Sequence, residues 1–469
     1  MNSVIHRLDY RTIIVFVGAI ALAPMTAVAQ DAPETQHTTV TEVNELFGPQ
    51  DLPGRPKAPR EAEPEIPAQP AAAEAPKPEE RSWFGGKPYW QWDRATGDWG
   101  GGRTWLIDHG FTVEGSYVQH WSSVWDGGAR NVASTRHVFD INATADLDKM
   151  FGLTGATLYA DAYFASNRGG SRDVGDVQGI SNIDTGINVN QLAELWYQQK
   201  LFDDVLRLKV GKIDANGEFD FVNAAGDFLT SSAGFSPTIN GFPTYPAPAT
   251  GVVAFVYPVK NAYISGGVFD GATRDGYFTG NRGPDQFFSD DKSSSWFFIG
   301  EAGCSWDDLF GLGAGRAAVG GHYHTGRATT FNGDSKAGAS GVYALAEQQL
   351  FAPGTSDEEK ARGLFAFGQF GWTEDSVSPS KFHVAGGLML KGTFPSRDED
   401  TTGVYVSYDD LSDAAGSPYT SDETAIEVYY KIHLTPFINI TPDFVYIVNP
   451  GGQGLDDATI GQLRVEVLF

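Results

Sequence analysis

The chain has 469 residues, with 33 basic against 59 acidic side chains and a formal charge of -26 at pH 7. That acidity is spread along the chain rather than gathered in a tail, which argues against nucleic acid or anionic lipid as a partner and fits an acidic lumen or acidic outer loops. Cys304 is the only cysteine, so no intramolecular disulfide is available, and a large exported protein must draw its stability elsewhere, as from a closed ladder of backbone hydrogen bonds.

The first thirty residues read as a secretory signal. Arg7 and Arg11 give a positive start, Ile13 to Ala23 is an apolar run, and Ala27-Val28-Ala29 is a small-residue cleavage site before Gln30, which sets the signal peptide at 1–29. The apolar run is half the roughly 20 residues a spanning helix needs. Later apolar stretches are soon broken by charge or glycine, so any membrane crossing must be made by strands. Residues 30–82 hold ten prolines, many alanines and glutamates, and a single aromatic residue, Phe47. Such a stretch buries too little apolar surface to fold alone and is expected to be a disordered periplasmic extension. A short helix around Val40 to Phe47 that self-associates or grips the cell wall is the alternative.

From Trp83 onward the texture changes to strands of about ten residues separated by turns. Strands are expected at 111–121, 136–147, 154–165, 190–200, 205–213, 251–258, 262–270, 295–304, 316–324, 339–350, 363–373, 381–391, 402–408, 423–434, 437–448 and 461–469. In the last of these Leu463, Val465, Val467 and Phe469 alternate with Gln462, Arg464 and Glu466, and the strand before Thr435 alternates likewise. A soluble sandwich would turn the apolar face inward; an outer-membrane barrel turns it to lipid. Connection lengths favour the barrel: 201–204, 258–261 and 435–436 are tight on one rim, whereas 166–189, 214–250 and 271–294 are long on the other. Two connections break the rule, 351–362 being long where it should be short and 374–380 the reverse. The expected fold is therefore an all-β transmembrane antiparallel barrel of about sixteen strands over residues 83–469, in a bacterial outer membrane, with an aqueous channel.

Several segments resemble the carbohydrate-selective porin family (OprB-like). They are Gly97-Asp98-Trp99-Gly100-Gly101 with Arg103, Leu106 and Gly110; Leu192-Ala193-Glu194-Leu195-Trp196-Tyr197; Gly211-Lys212-Ile213-Asp214-Ala215-Asn216 with Glu218-Phe219; Pro243-Thr244-Tyr245-Pro246; and the ending from Tyr429 through Gly452. The resemblance spans about residues 90–469 in one register. It implies a sixteen-stranded barrel with inward-folded loops that passes monosaccharides and small polyols without energy input or cofactor. Terminal Phe469 fits the usual signal to the barrel-assembly machinery. The extension at 30–82 lies outside the resemblance; peptidoglycan is its candidate partner.

A sugar in a pore exchanges hydration for contacts that let it enter and leave, so charged residues on inward faces and nearby aromatic rings are the binding candidates. Glu194, Gln198 and Trp196 share one face of the fourth strand, with Ala193, Leu195 and Tyr197 expected toward lipid. Asp161 sits between Tyr159 and Tyr163, and Arg136 opens the second strand. After the fifth strand a loop is expected to dip into the pore, where Lys212, Asp214 and Glu218 narrow it and set its field. The alternation Asp214, Asn216, Glu218, Asp220 resembles a calcium loop but lacks the glycine and the later bidentate glutamate of an EF-hand. His322 and His324 share a strand face without a third metal ligand at convincing spacing, and Glu427, Tyr429 and Lys431 read as solvated wall. No cofactor or metal is assigned. The net acidity predicts some cation preference at low salt. No Gly-x-Ser-x-Gly turn or paired-acid signature points to an enzyme. A general diffusion porin without a sugar site, or a barrel that chiefly tethers the envelope, are the competing readings.

Overall fold

The computed structural model describes residues 88–275, 277–280, 295–392 and 394–469; the signal segment 1–29 and the extension 30–82 lie outside the described residues. Among those described, sixteen strands form one closed barrel. They are β1 (Phe111–Asp126), β2 (Ala133–Asp146), β3 (Ala156–Arg168), β4 (Val189–Leu201), β5 (Leu206–Ile213), β6 (Ala249–Val259), β7 (Ala262–Asp270) and β8 (Trp296–Trp306). The second half comprises β9 (Gly315–Thr329), β10 (Ser335–Phe351), β11 (Gly363–Thr373), β12 (Ser380–Lys391), β13 (Thr401–Leu411), β14 (Glu423–Thr435), β15 (Ile438–Val448) and β16 (Ala458–Leu468). Each pairs antiparallel with its neighbours in the chain, and β16 returns to β1 with Ser116 opposite Leu468 and His120 opposite Arg464.

Closure extends to the last residue. Phe469 and Gly115 exchange both backbone hydrogen bonds at 2.8 Å, and the Phe469 ring stacks on Phe139 with centroids 5.4 Å apart. A side chain at position 115 would put its Cβ 2.6 Å from that ring, so only glycine lets the terminal aromatic seat against the wall.

The barrel is built inside out relative to a soluble fold. Val319 on β9 is 61% exposed and Ile264 on β7 is 62% exposed, whereas Arg316 on β9 and Arg464 on β16 are 4% and 1% exposed. An exposed apolar ring around a buried polar face is stable only if lipid tails cover the ring. No helix among the described residues is long and apolar enough to cross a membrane.

The strand limits follow the expected ones within a few residues, and the larger differences lie on the long-loop rim. There β9 runs on to Thr329 through residues 325–329, a polar stretch without the alternation that marks a lipid-facing strand. The two irregular connections are real. Residues 352–362 contain a helical turn, Asp357–Lys360, whose Ser356 cap accepts from the Glu359 N–H, and only residues 374–379 join β11 to β12.

One facing is corrected. Asp161 pairs with Glu194 and Ala162 with Leu192, so Ala193 is an extra residue with no partner opposite it. This bulge resets the alternation. Ala193 is fully buried with Val118, Tyr163 and Val189 in an interior cluster, rather than facing lipid with Leu195. The lumen is also not a plain water column: Phe219, Phe228, Ile239 and Phe242 from the connection after β5 pack on inward apolar wall residues.

If lipid covers the outer ring, Val319→Arg should destabilise the folded barrel by about 2–4 kcal/mol. Urea titration of protein refolded into vesicles measures this; an unchanged midpoint would contradict the assignment of that face.

Candidate functional site

A carboxylate buried on a barrel wall needs hydrogen-bond donors, because taking the charge out of water is otherwise costly. Here most of the donors are backbone N–H groups of two long connections, 169–188 and 214–248, that run inside the barrel, with Gly451 of the turn after β15 added at one carboxylate. Glu194 on β4 accepts from the Asp214 N–H at 3.0 Å. Glu301 on β8 accepts from Asp220 at 3.0 Å, and Glu347 on β10 from Ala224 at 2.7 Å. On β14, Glu427 takes Leu229 at 2.5 Å and Thr230 at 3.0 Å. Nearer the long-loop rim Glu423 takes Val177 and Gln178, each at 3.0 Å, and Gly451 at 2.6 Å. The loop after β5 is thus pegged across the barrel by wall glutamates. Glu427 and Lys431 are not solvated wall, as the sequence suggested: Lys431 is held by Asp227 of that loop at 2.9 Å and by Glu466 at 3.2 Å.

Six of the seven candidate residues lie together along β3, β4, β5 and the start of this loop. Asp161 is opposite Glu194 on β4 and Asn142 on β2. Lys212 donates to the Leu192 carbonyl at 2.9 Å and to Gln191 Oε1 at 3.2 Å. Asp214 accepts from the N–H groups of Asn216 at 2.9 Å and Tyr245 at 3.2 Å, which shapes the turn leaving β5. Glu218 folds back onto β5, where Arg207 lies 2.7 Å away and Lys209 makes a second ion pair. Burial would raise the Glu218 carboxyl, but those two cations hold it at about 2. Asp227 is treated alike: burial opposes its charge and Lys431 brings it to about 2.

Trp196 faces inward as expected, and its indole N–H donates to Glu194 at 3.2 Å. Its π surface is already engaged, by Tyr159 stacked at 4.9 Å and by the Lys209 ammonium 3.9 Å from the ring centroid. The calcium-like alternation does not converge either, since Glu218 is committed to Arg207 and Lys209 while Asp220 accepts from the Ser236 N–H at 2.8 Å. His324 uses both ring nitrogens locally, toward the Gly271 carbonyl at 2.8 Å and the Gly326 N–H at 3.0 Å. Among the described residues no group of three potential ligands could hold a metal ion.

Arg136 stands apart from the other six. It belongs to a cross-strand row on β2, β1 and β16, with His120 opposite Arg136 on one side and Arg464 on the other. Sequence reasoning missed His120 and Arg464 as site residues, and the wall glutamates Glu301, Glu347 and Glu423. Their one available signal was inward periodicity without an in-register ion partner, which becomes informative only once the loops are known to lie inside.

This arrangement matches known proteins. The profile of the carbohydrate-selective porin, OprB family, matches residues 130–469. Porin B of Pseudomonas aeruginosa is 22% identical over 424 residues, covering 80% of this chain and 90% of that protein. The high-pH structure of Pseudomonas putida OprB superposes with a TM-score of 0.71 at 24% identity, covering 81% of this chain and 99% of that one. The low-pH structure of the same protein gives 0.53 at 19% identity over the same shares.

Two outcomes are expected. Glu427→Ala strands two loop N–H groups at about 1–3 kcal/mol each, so single-channel recordings should show a larger or noisier conductance than the parent; an identical trace would show that the peg does not hold the loop. Glu218 and Asp227 titrate lower in the folded protein than the usual carboxylate range of about 4, so their ion pairs are fully formed above that range and lost as pH falls toward 2. Conductance should stay level from pH 7 to about 4.5 and loosen below it, whereas a transition near pH 6 would assign control to other groups.

Proposed function

Because the chain belongs to the carbohydrate-selective porin, OprB family, we propose that its pegged loops and the β2–β5 wall form a passage that selects monosaccharides and small polyols by passive diffusion. The observation that carries the reading is the interior itself: two connections threaded through the lumen and fastened to opposite walls by carboxylate-to-backbone bonds. A rigid, narrowed passage lined by fixed donors and acceptors can replace part of a sugar's hydration shell, whereas a wide channel cannot. Asp161, Glu194, Lys212 and Asp214 supply acceptors and a cation along one wall, the pairing that vicinal hydroxyls use. Trp196 serves this wall by orienting Glu194 and Lys209 rather than by offering a bare face to a pyranose.

The chain is an outer-membrane transport protein by family. We assign its apolar ring to outer-membrane lipid, Phe469 to recognition by the barrel-assembly machinery, and the extension 30–82 to contact with peptidoglycan on the periplasmic side.

Planar-bilayer conductance with and without glucose tests the site. The expected result is saturable block at millimolar glucose that weakens several-fold in Glu194→Ala and Lys212→Ala. Absence of block in the parent protein would leave a general diffusion pore, and an unchanged response in both variants would reject these residues as sugar contacts.

A further inference from the structure

The row Arg464, His120, Arg136 has a feature that passage of neutral sugars does not require. Both guanidinium groups are 1% exposed, yet Nε and Nη1 of each have no hydrogen-bond partner. Arg136 donates through Nη2 to Ser122 Oγ at 2.6 Å, and Arg464 through Nη2 to Asn182 Oδ1 at 2.6 Å. His120 between them is fully engaged, with Gln462 Oε1 and Ser181 Oγ each 2.9 Å from a ring nitrogen. His120 alone separates the two cations along the row.

Carboxylates in the neighbourhood act on the arginines through space but take their hydrogen bonds elsewhere. Asp184 accepts from Asn167 and from the N–H groups of Ser171 and Gly186. Asp443 accepts from Gln462 at 2.8 Å, Glu427 holds the loop, and Glu466 pairs with Lys431. Over this row the connection after β3 comes so close that a Cβ at Gly170 would lie 2.2 Å from Asp184 Oδ2 and 2.8 Å from Arg136 Nη2. Buried guanidinium groups with idle donors are expensive to maintain, and an anion is what would satisfy them.

We propose that this row is a binding site for a monosaccharide anion, a uronate or aldonate, whose carboxylate takes the idle Arg136 and Arg464 donors while its hydroxyls meet Ser122, Asn182 and Gln462. A neutral sugar can accept the same hydrogen bonds, but only an anion adds the charge-assisted part of the interaction at the donors the surrounding carboxylates leave idle. Ligand entry displaces the Ser181 and Asn182 side-chain contacts, which makes the connection after β3 the cover of the site. The inference rests on the sugar-passage reading and names a substrate class within it.

The test is single-channel block by glucuronate, glucose and acetate at matched ionic strength. Glucuronate is expected to half-block at a concentration at least tenfold below glucose, with acetate weaker than glucuronate because it lacks the hydroxyls. In Arg136→Gln/Arg464→Gln that ratio should fall to twofold or less, and in Arg136→Lys/Arg464→Lys it should recover in part, with folding of each variant checked by heat-modifiable migration in gels. Equal block by glucuronate and glucose in the parent, or an advantage that survives the double glutamine variant, would overturn the proposal. Liposome swelling with glucose separates the two readings: if glucose still enters while glucuronate shows no advantage, only the anion site falls, and if glucose does not enter, the sugar passage falls as well.

Discussion

An unpaired backbone N–H or C=O in hydrocarbon costs several kcal/mol, so a sheet in a membrane must have no edge. Everything else in this protein follows from that closure. β16 must meet β1, which fixes an antiparallel circuit of neighbours and puts both ends of the strand region on one rim. Even the terminal residue takes part, since Phe469 completes the ladder against Gly115. Once the circuit is closed, the alternation along each strand has only one stable sense, with charged side chains inward and the outward face apolar.

Closure then creates a second problem, and its solution shapes the site. Inward charges on a wide wall would be solvated and uninformative, but here two long connections enter the lumen and exclude much of that water. Wall glutamates that would repel one another in an empty acidic channel become acceptors for loop N–H groups, and the loop's apolar side chains pack on inward Phe255, Phe297, Phe367 and Tyr405. Part of the acidity of the chain is therefore structural. Formal charge counted along the sequence overstates the negative field in the passage, and the row formed by Arg464, His120 and Arg136 sets two cations among the acidic groups of one wall.

The site candidates show how far sequence periodicity reaches. Glu194, Trp196 and Asp161 were placed inward from alternation and are inward, whereas Lys212, assigned with the loop after the fifth strand, lies buried on β5 itself. Ala193 was misplaced, because a bulge leaves no mark in the residue pattern and shifts facing by one position. Trp196 was expected to offer an aromatic face, but that face is shared by Tyr159 and Lys209, whose approach depends on the pairing of β3, β4 and β5. Glu427 was read as solvated because its acceptor role requires Leu229 and Thr230, nearly two hundred residues away in the chain.

By itself, the sequence determined the strand count, the approximate strand limits, the side of wall residues wherever no bulge intervenes and the family resemblance, because these depend on local alternation and turn composition. Only the tertiary structure decided which carboxylates are spent on loop backbone, which cations keep idle donors, and where the connections after β3 and β5 lie. Those properties are set by contacts across the barrel, and a residue's partner on a distant strand is invisible to a pattern of period two.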